Sequence, residues 1–216
     1  MIRINRNTLQ KLVRFLLKVL TRTEFIGIEH LPEQGGVIIA INHINYFDTP
    51  LLFANPRRAD ITALVTTKYQ QKALINWFTE SAGGIWIDRD IADFTAIRKA
   101  AKALAEGYAL GISPEGTRSP DARLQAGKPG TVMLAVKSGV PIVPVGITGT
   151  EDAFHQMLRL RRPRMTARFG EAFTIPEFIK GERSADLHYW TEELMRRIAA
   201  LLPESYRGVY ANPPQG

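Results

Sequence analysis

Short apolar runs recur along the chain, and the segments between them carry apolar residues at helical spacing. Runs of this length, bounded by glycine, proline and polar residues, are typical of buried strands. The runs lie at 37–41, 61–65, 85–87, 109–112, 142–147 and 165–169. Strands that alternate with helices favour an α/β fold. We expect a mostly parallel or mixed central sheet flanked by helices, with functional loops at the carboxyl ends of the strands.

The intervening helices are best defined where one face is apolar. Apolar residues recur on one face of segment 94–106, and Gly107 can end that helix. Further helices are predicted over 130–138 and 185–202. A strongly basic segment, 158–168, precedes the last of them.

The first residues of the chain have a two-sided pattern that predicts an amphipathic helix. One side is apolar: Leu9, Leu12, Val13, Leu16, Leu17 and Leu20. The other side is basic: Lys11, Arg14, Lys18 and Arg22. The apolar side suits the headgroup boundary of a bilayer and the cations suit anionic lipid, whereas the charges interrupt any run long enough to cross it. We expect a peripheral, monotopic contact at the cytoplasmic face of a membrane. A helix docked on the body with a solvated basic face is the alternative.

The composition suits one domain with short additions. The chain has 216 residues, of which 45% are hydrophobic, and this is enough to bury a sizeable core. We divide it into an N-terminal membrane-contact helix (1–24), an α/β domain (25–207) and a proline-containing tail (208–216). The absence of cysteine excludes disulfides, thiolate nucleophiles and cysteine-based zinc sites.

The positive charge is unevenly distributed. Six of the 28 basic residues fall within 1–23, where no acidic residue occurs, so 22 basic and 21 acidic residues follow. No helix-turn-helix, zinc or aromatic RNA-binding pattern accompanies the later basic segment, which argues against a nucleic-acid partner. That segment suits anionic lipid, an acidic carrier protein or the phosphates of a donor, and a solvated surface is an equal alternative.

His43 and Asp48 form the first candidate site. Both follow the predicted strand at 37–41, and a turn can bring the carboxylate to the imidazole. A carboxylate that accepts the Nδ1 proton fixes the tautomer, so that Nε2 is free to take a proton from a substrate. The pair therefore suggests a general base. A capping aspartate beside a hydrogen-bonded histidine is the structural alternative.

An anion-binding turn forms the second candidate site. It follows the strand at 109–112, where Gly116 permits close backbone approach and Arg118 can grip a phosphate through two hydrogen bonds. Glu115 can hold a substrate hydroxyl or orient the arginine. Arg89, at the end of the strand at 85–87, can add a second cation to the same pocket. An ordinary glycine turn with an internal Glu–Arg pair is the alternative.

Four segments, taken together and in order, resemble the motifs of a known enzyme family. They are 43–48, 84–89, 115–118 and 140–146, the last an apolar strand whose prolines favour a sheet edge or a groove wall. They closely resemble the motifs of the glycerolipid acyltransferases, which include 1-acylglycerol-3-phosphate and glycerol-3-phosphate acyltransferases. The resemblance covers roughly residues 36 to 150, and the His-x4-Asp and Glu-Gly-Thr-Arg motifs are its most specific parts.

This resemblance implies roles for individual residues. His43 would deprotonate the acceptor hydroxyl and Asp48 would orient it. The implied phosphate site consists of Arg89, Glu115, Gly116, Thr117 and Arg118. Lys68 also resembles a family lysine between the first two motifs. Asn45 stands where many members have serine, and Ser113 where an aromatic residue often stands; we expect these departures to affect acceptor choice more than reaction type.

The implied reaction is direct acyl transfer, since the chain has no cysteine and no Gly-x-Ser-x-Gly elbow to form an acyl-enzyme. The donor would be an acyl thioester of coenzyme A or acyl carrier protein. The acceptor would be a lysophospholipid, foremost 1-acylglycerol 3-phosphate. We expect no bound cofactor and no metal, because His30, His155 and His188 are scattered. A thioesterase that uses the same pair, and a noncatalytic phospholipid-binding module, remain as alternatives.

Overall fold

The computed structural model describes residues 4–91, 93–178 and 183–211. A seven-stranded sheet forms its centre, in the order β1-β7-β6-β2-β5-β3-β4. The strands are Arg22–Ile26 (β1), Val37–Ile41 (β2), Ile61–Thr66 (β3), Ile85–Ile87 (β4), Ala109–Ile112 (β5), Ile142–Thr148 (β6) and Arg164–Phe169 (β7). The β6–β7 pair is antiparallel and the other neighbouring strands run parallel, so the sheet is mixed.

Helices cover both faces of this sheet. They are Arg6–Leu20 (α1), Asp48–Phe53 (α2), Ala73–Ala82 (α3), Phe94–Ala105 (α4), Gly130–Ser138 (α5), Ala153–Leu158 (α6) and Arg183–Ala200 (α7). The central strand β2 is buried throughout, and its side chains alternate between two hydrophobic cores. Ile39 and Ile41 face the core that α1 and α2 complete, whereas Ile38 and Ala40 face the core of α4, α5 and α7. The predicted α/β fold is confirmed.

The edge strand β1 was not predicted. We expected the N-terminal element to extend to residue 24, but α1 ends at Leu20 and β1 begins at Arg22. The strand pairs in parallel with β7, with Arg22 opposite Arg164. Its side chains alternate between exposed and half-buried, so it lacks the apolar run that marks the inner strands.

The prolines of β6 favoured a sheet edge or a groove wall, and the edge position was wrong. Strand β6 lies inside the sheet between β7 and β2. Pro144 pairs with Ala40 of β2, while the ladder with β7 begins one residue later, at Val145. Pro144 therefore lies just outside the β7 ladder, where a strand can tolerate a residue without an N–H donor. Its carbonyl still accepts from Gly170 N at 2.9 Å.

Part of the predicted C-terminal tail packs against the domain. Tyr210 is buried, and its hydroxyl donates to Glu192 Oε1 at 3.0 Å and accepts from Gly127 N at 3.3 Å. The rest of the predicted tail, 212–216, lies outside the described residues.

One sector of α1 docks on the body of the protein. Leu9, Val13 and Leu17 are buried in the core. Gln10 Nε2 donates to the carbonyls of Phe53 at 2.8 Å and Arg58 at 2.9 Å. These contacts make α1 part of the folded domain.

Arg14, which we assigned to the lipid-facing basic side, also turns toward the protein. Its guanidinium donates to the carbonyls of Ala54, at 3.1 Å, and Asn55. Backbone carbonyls left free at the end of α2 attract this cation, and a hydropathy pattern does not reveal them.

A second sector of α1 is apolar and exposed. Its side chains are 42–62% exposed: Leu12, Phe15, Leu16, Val19 and Leu20. Within the described residues, no helix has both the length and the apolar character that crossing a bilayer requires.

Candidate active site

The two principal motifs meet because their strands are neighbours in the sheet. His43 follows β2 and the Glu115–Arg118 turn follows β5, and these two strands pair in parallel. Their carboxyl ends therefore open on the same edge of the sheet. Ser119 N donates to the carbonyl of His43 at 2.8 Å and ties the two loops together.

His43 and Asp48 form a hydrogen-bonded pair. The Nδ1 atom of His43 lies 2.7 Å from Asp48 Oδ2, and the imidazole is 18% exposed whereas the carboxylate is fully buried. The same Oδ2 atom accepts from the backbone N–H groups of Ile44, at 2.7 Å, and Asn45, at 2.8 Å. With Nδ1 engaged, Nε2 is the ring nitrogen available to a substrate in the groove that His43 lines.

Thr150 completes the surroundings of the carboxylate, and sequence reasoning missed it. Its Oγ1 donates to Asp48 Oδ1 at 2.6 Å, and the residue is fully buried. Both oxygens of the Asp48 carboxylate thus accept hydrogen bonds, which fix its orientation beside His43. Thr150 lies 102 residues from Asp48 and follows β6, outside any local motif, so only the fold brings it to the pair.

Further hydrogen bonds fix the loop that carries Thr150. The side chain of Asn42 accepts from Ile147 N at 2.7 Å and donates to its carbonyl at 2.9 Å. Asn45 Nδ2 donates to the carbonyl of Glu151 at 3.0 Å. Asn45, one of the two residues that depart from the family pattern, therefore joins the His43 loop to the loop after β6.

Glu115 occupies a position different from the one we predicted. Its side chain is 2% exposed, and no hydrogen bond or ion pair in the described part of the chain joins it to Arg118. One carboxyl oxygen accepts from His43 N at 2.8 Å and the other from Gln125 N at 2.9 Å. Burial raises the pKa of this carboxyl to about 7, against the two backbone hydrogen bonds, which lower it. Glu115 therefore supports the His43 loop, because its carboxyl group is hydrogen-bonded to backbone N–H groups on both oxygens.

Arg118 lies between two tyrosines. Its guanidinium carbon is 3.9 Å from the ring centre of Tyr46, and its Nη2 donates to the hydroxyl of Tyr69 at 2.7 Å and, at 3.2 Å, to that of Tyr46. Lys72 stands over both rings, at 5.6 Å and 5.4 Å. Stacking and hydrogen bonding orient the guanidinium while its remaining donors stay available to an anion.

Arg89 approaches the same turn from β4. Its Nη1 donates to the carbonyl of Gly116 at 2.6 Å, and Gly116 has a φ of 71°, in the region that favours glycine. Burial lowers the pKa of the Arg89 guanidinium, which nonetheless stays protonated at neutral pH. Arg89, Thr117 and Arg118 all line the groove that contains His43.

Lys68 lies apart from these residues. Its side chain is 63% exposed and its Nζ pairs with Asp90 at 3.2 Å. It does not line the groove. These positions do not support the substrate-binding role that the resemblance implied for Lys68.

The groove has a polar end and an apolar wall. Its volume is about 750 Å³. His43, Arg89, Thr117 and Arg118 lie at the polar end. The apolar lining includes Leu12, Leu16 and Leu20 of α1, Leu74 and Phe78 of α3, and Phe154 and Leu158 of α6. This division suits an amphiphile with an anionic headgroup and an acyl chain.

No cluster of three or more metal-ligating side chains occurs within 4–91, 93–178 and 183–211. The charged or titratable side chains that line the groove include the imidazole of His43 and the guanidinium groups of Arg89 and Arg118.

The sequence of this chain is similar to those of known proteins. A family model described as Acyltransferase matches residues 22–148. The 1-acyl-sn-glycerol-3-phosphate acyltransferase of Borreliella burgdorferi is 32% identical over 130 residues, 59% of this chain and 52% of that protein. The enzyme of the same description from Bacillus subtilis is 28% identical over 174 residues, 80% of this chain and 84% of that protein. A lyso-ornithine lipid O-acyltransferase from Pseudomonas aeruginosa is 32% identical over 122 residues, 56% of this chain and 46% of that protein.

The fold also matches a solved structure. The crystal structure of the 1-acyl-sn-glycerophosphate (LPA) acyltransferase PlsC from Thermotoga maritima superposes with a TM-score of 0.68 at 25% identity, covering 91% of this chain and 79% of that one. The family match spans more than half of this chain and includes His43, Asp48, Arg89 and the Glu115–Arg118 turn. The chain therefore belongs to the glycerolipid acyltransferase family.

Proposed function

We propose that this protein transfers a fatty acyl group from a thioester to the free hydroxyl of 1-acylglycerol 3-phosphate, which gives phosphatidic acid. The observation that carries the proposal is the groove itself, where an imidazole and two guanidinium groups share the polar end of an apolar channel. A lysophospholipid with a phosphate monoester matches this division: its phosphate suits the polar end, and its acyl chain suits the apolar wall. The relatives named for this substrate support the choice.

His43 acts as the general base in this proposal. Its Nε2 takes the proton of the acceptor hydroxyl as that oxygen attacks the thioester carbonyl. The tetrahedral intermediate then collapses, the carbon–sulfur bond breaks, and the thiolate receives the proton from the imidazolium. Asp48, which is held by backbone N–H groups and Thr150, stabilises the imidazolium during this step.

Arg89 and Arg118 bind the acceptor phosphate. Guanidinium groups form paired, charge-assisted hydrogen bonds with phosphate oxygens, and two of them balance its double negative charge. The contact of Arg89 with the Gly116 carbonyl and the stacking of Arg118 on Tyr46 limit the conformations of both side chains before substrate arrives. Preorganised side chains lose less entropy on binding.

The exposed apolar sector of α1 places the groove at a membrane surface in this proposal. Leu12, Leu16 and Leu20 belong both to that sector and to the groove wall. A lipid acceptor can therefore enter from the bilayer with its acyl chain along α1. We infer a peripheral association with the cytoplasmic face, where acyl thioesters of coenzyme A and acyl carrier protein are found.

An acyl-transfer assay tests the proposal. Purified protein is incubated with acyl-coenzyme A or acyl carrier protein thioester and with 1-acylglycerol 3-phosphate, glycerol 3-phosphate or lyso-ornithine lipid, and products are identified by mass spectrometry. We expect phosphatidic acid to form fastest. Free fatty acid as the main product would indicate a thioesterase. Faster transfer to lyso-ornithine lipid, which has no phosphate, would contradict the role given to the two arginines.

A further inference from the structure

The turn that joins α6 to β7 exposes apolar side chains to an unusual degree. Leu160 is 96% exposed, Leu158 is 67% exposed, and Phe154, one α6 turn earlier, is 55% exposed. We refer to residues 158–161, Leu-Arg-Leu-Arg, as the α6 tip. Neither the proposed chemistry nor the core uses Leu160.

The backbone of the α6 tip holds Leu160 where glycine is usually found. The N–H of Arg161 donates to the carbonyl of Gln156 and that of Leu160 to the carbonyl of Met157, both at 2.9 Å. This is the hydrogen-bond pattern of a Schellman motif, whose left-handed residue is most often glycine. Leu160 has a φ of 54°, which is strained for a side chain of its kind. A leucine that is strained and fully solvated stabilises nothing in the isolated fold, which suggests that its side chain has a partner outside the chain.

The α6 tip lies on the same side of the molecule as the exposed sector of α1. Arg162, the next residue, donates through Nη2 to the carbonyls of Lys18 and Thr21, each at 2.6 Å. These bonds tie the base of the tip to the end of α1. Phe154 and Leu158 also line the groove together with α1. The apolar surface of α1 therefore continues onto α6.

The charges around Leu160 indicate the chemistry of its partner. Arg159 and Arg161 flank it, are exposed, and form no ion pair with a carboxylate in the described ranges. Lys18 of α1 is exposed nearby in the fold, next to the contact made by Arg162. Leucine between unpaired arginines fits an anionic lipid surface, because the apolar side chain enters the interface while the guanidinium groups meet headgroup phosphates.

We propose that the α6 tip inserts Leu160 into the headgroup region of an anionic bilayer and forms a second lipid contact beside α1. This proposal rests on the membrane association proposed above. Contacts at both α1 and α6 would orient the protein on the bilayer so that the groove between these helices opens toward lipid. An acidic carrier protein would use the two arginines but would not need a solvated leucine.

Leu160→Gly provides a variant that separates lipid binding from folding. Glycine suits the left-handed backbone, so the variant should be at least as stable as wild type by thermal unfolding. We expect its partition onto vesicles of equal parts phosphatidylglycerol and phosphatidylcholine to fall by roughly tenfold, as loss of one inserted leucine implies. Val209→Ala, at a site that is 69% exposed and outside the groove, is the control. Equal partition of wild type and Leu160→Gly would overturn the proposal.

The arginines allow a second measurement. The double variant Arg159→Gln/Arg161→Gln should lower affinity for the same vesicles by about fivefold for each arginine removed and should reduce the sensitivity of binding to salt. Unchanged affinity and salt dependence would contradict the assignment of anionic lipid.

Single-site labelling identifies the partner directly, because the chain contains no cysteine. Leu160→Cys, Val19→Cys and Val209→Cys are each coupled to an environment-sensitive fluorophore. We expect vesicles to shift the emission of labels at 160 and 19, but not at 209. A shift at 19 alone would overturn the proposal while leaving α1 as the membrane contact and acyl transfer intact. A shift at 160 with acyl carrier protein but not with vesicles would also overturn it.

Discussion

At the scale of single residues, two buried carboxyl groups perform different tasks because their donors differ. Asp48 receives hydrogen bonds from His43, two backbone N–H groups and Thr150. Glu115 is nearly as buried but receives only two backbone N–H groups, and its pKa is raised to about 7. The larger set of donors fixes the Asp48 carboxylate beside the imidazole of His43. Glu115, which accepts only from two backbone N–H groups, supports the loop that carries His43.

Thr150→Val should slow catalysis without weakening substrate binding. The change leaves Asp48 Oδ1 buried without its hydroxyl donor, and loss of a hydrogen bond to a charged group costs about 1.5–3 kcal/mol. We expect kcat to fall by roughly tenfold to a hundredfold with little change in acceptor KM, and Thr150→Ser to recover most of the rate. Steady-state kinetics check this. Equal losses in the valine and serine variants would mean that the hydroxyl is not responsible.

Tyr69→Phe should weaken acceptor binding. Arg118 loses its 2.7 Å hydrogen bond to the phenol and the guanidinium becomes less ordered. We expect acceptor KM to rise by only about threefold to tenfold with donor KM and kcat unchanged, because the lost hydrogen bond orders the guanidinium and does not itself contact the substrate. Tyr189→Phe, at a site that is 61% exposed, is the control. An increase confined to donor KM would reverse the assignment of the arginine to the acceptor.

Glu115 makes stability depend on pH. In the unfolded chain its carboxyl ionises near 4.5, whereas in the folded protein it ionises at about 7. Between these values the folded state holds more protons at this site, so the free energy of unfolding falls as pH rises, by up to about 3 kcal/mol. Glu115→Gln removes the titration, with exposed Glu171→Gln as its control. Urea unfolding across this range should show wild type losing stability relative to Glu115→Gln, and a constant difference would contradict the raised pKa.

The sequence contained only part of this residue-level picture. His43 and Asp48 could be predicted because the pair is local and its spacing resembles a known motif. Thr150 could not be, because it reaches Asp48 only when β6 is placed beside β2. The contacts of Glu115 with backbone N–H groups were equally hidden, since loop geometry, not residue type, determines which groups face a carboxylate.

At the scale of secondary-structure elements, α1 combines structural and surface roles in three sectors. One sector packs in the core through Leu9, Val13 and Leu17, a second exposes apolar side chains, and a third exposes Lys11 and Lys18. Deleting residues 1–23 would remove the packed sector and part of β1, so it would test folding more than membrane binding. Substitutions in the exposed sector avoid this problem.

Phe15→Ser/Val19→Ser should weaken membrane binding and leave the fold intact. The two side chains are 62% and 50% exposed and do not line the groove. We expect vesicle partition to fall by roughly tenfold or more, as removal of two interfacial apolar side chains implies, with thermal stability near that of wild type. Co-sedimentation with anionic vesicles measures this. Unchanged sedimentation would exclude α1 as a membrane contact.

Elements differed in how well their sequences predicted them. Strands β2, β3, β5 and β6 lie inside the sheet, and their largely buried apolar runs predicted them within a residue or so. The edge strand β4 is half-buried, but its apolar run also predicted its position. Strand β1 is half exposed and lacks that pattern. The docking of Arg14 on backbone carbonyls depends on where α2 ends, which helical periodicity does not specify.

At the scale of the whole molecule, sheet order accounts for the site. Strand β2 pairs with β5 on one side and with β6 on the other. The loops that follow these three strands are therefore neighbours at one edge of the sheet, and they carry the His43–Asp48 pair, the Glu115–Arg118 turn and Thr150. Helices α1, α3 and α6 surround the same edge and make the groove apolar. Local motifs thus specify the reactive groups, and topology determines that they share one groove.

The central claim is that the imidazole of His43 activates an alcohol whose phosphate is bound by Arg89 and Arg118. The most direct test is the rate at which His43→Ala forms phosphatidic acid from 1-acylglycerol 3-phosphate and an acyl thioester. The variant should fold, bind vesicles as wild type does, and lose about a hundredfold to ten-thousandfold in rate, the usual contribution of a general base. A folded His43→Ala protein that makes phosphatidic acid at the wild-type rate would contradict the account.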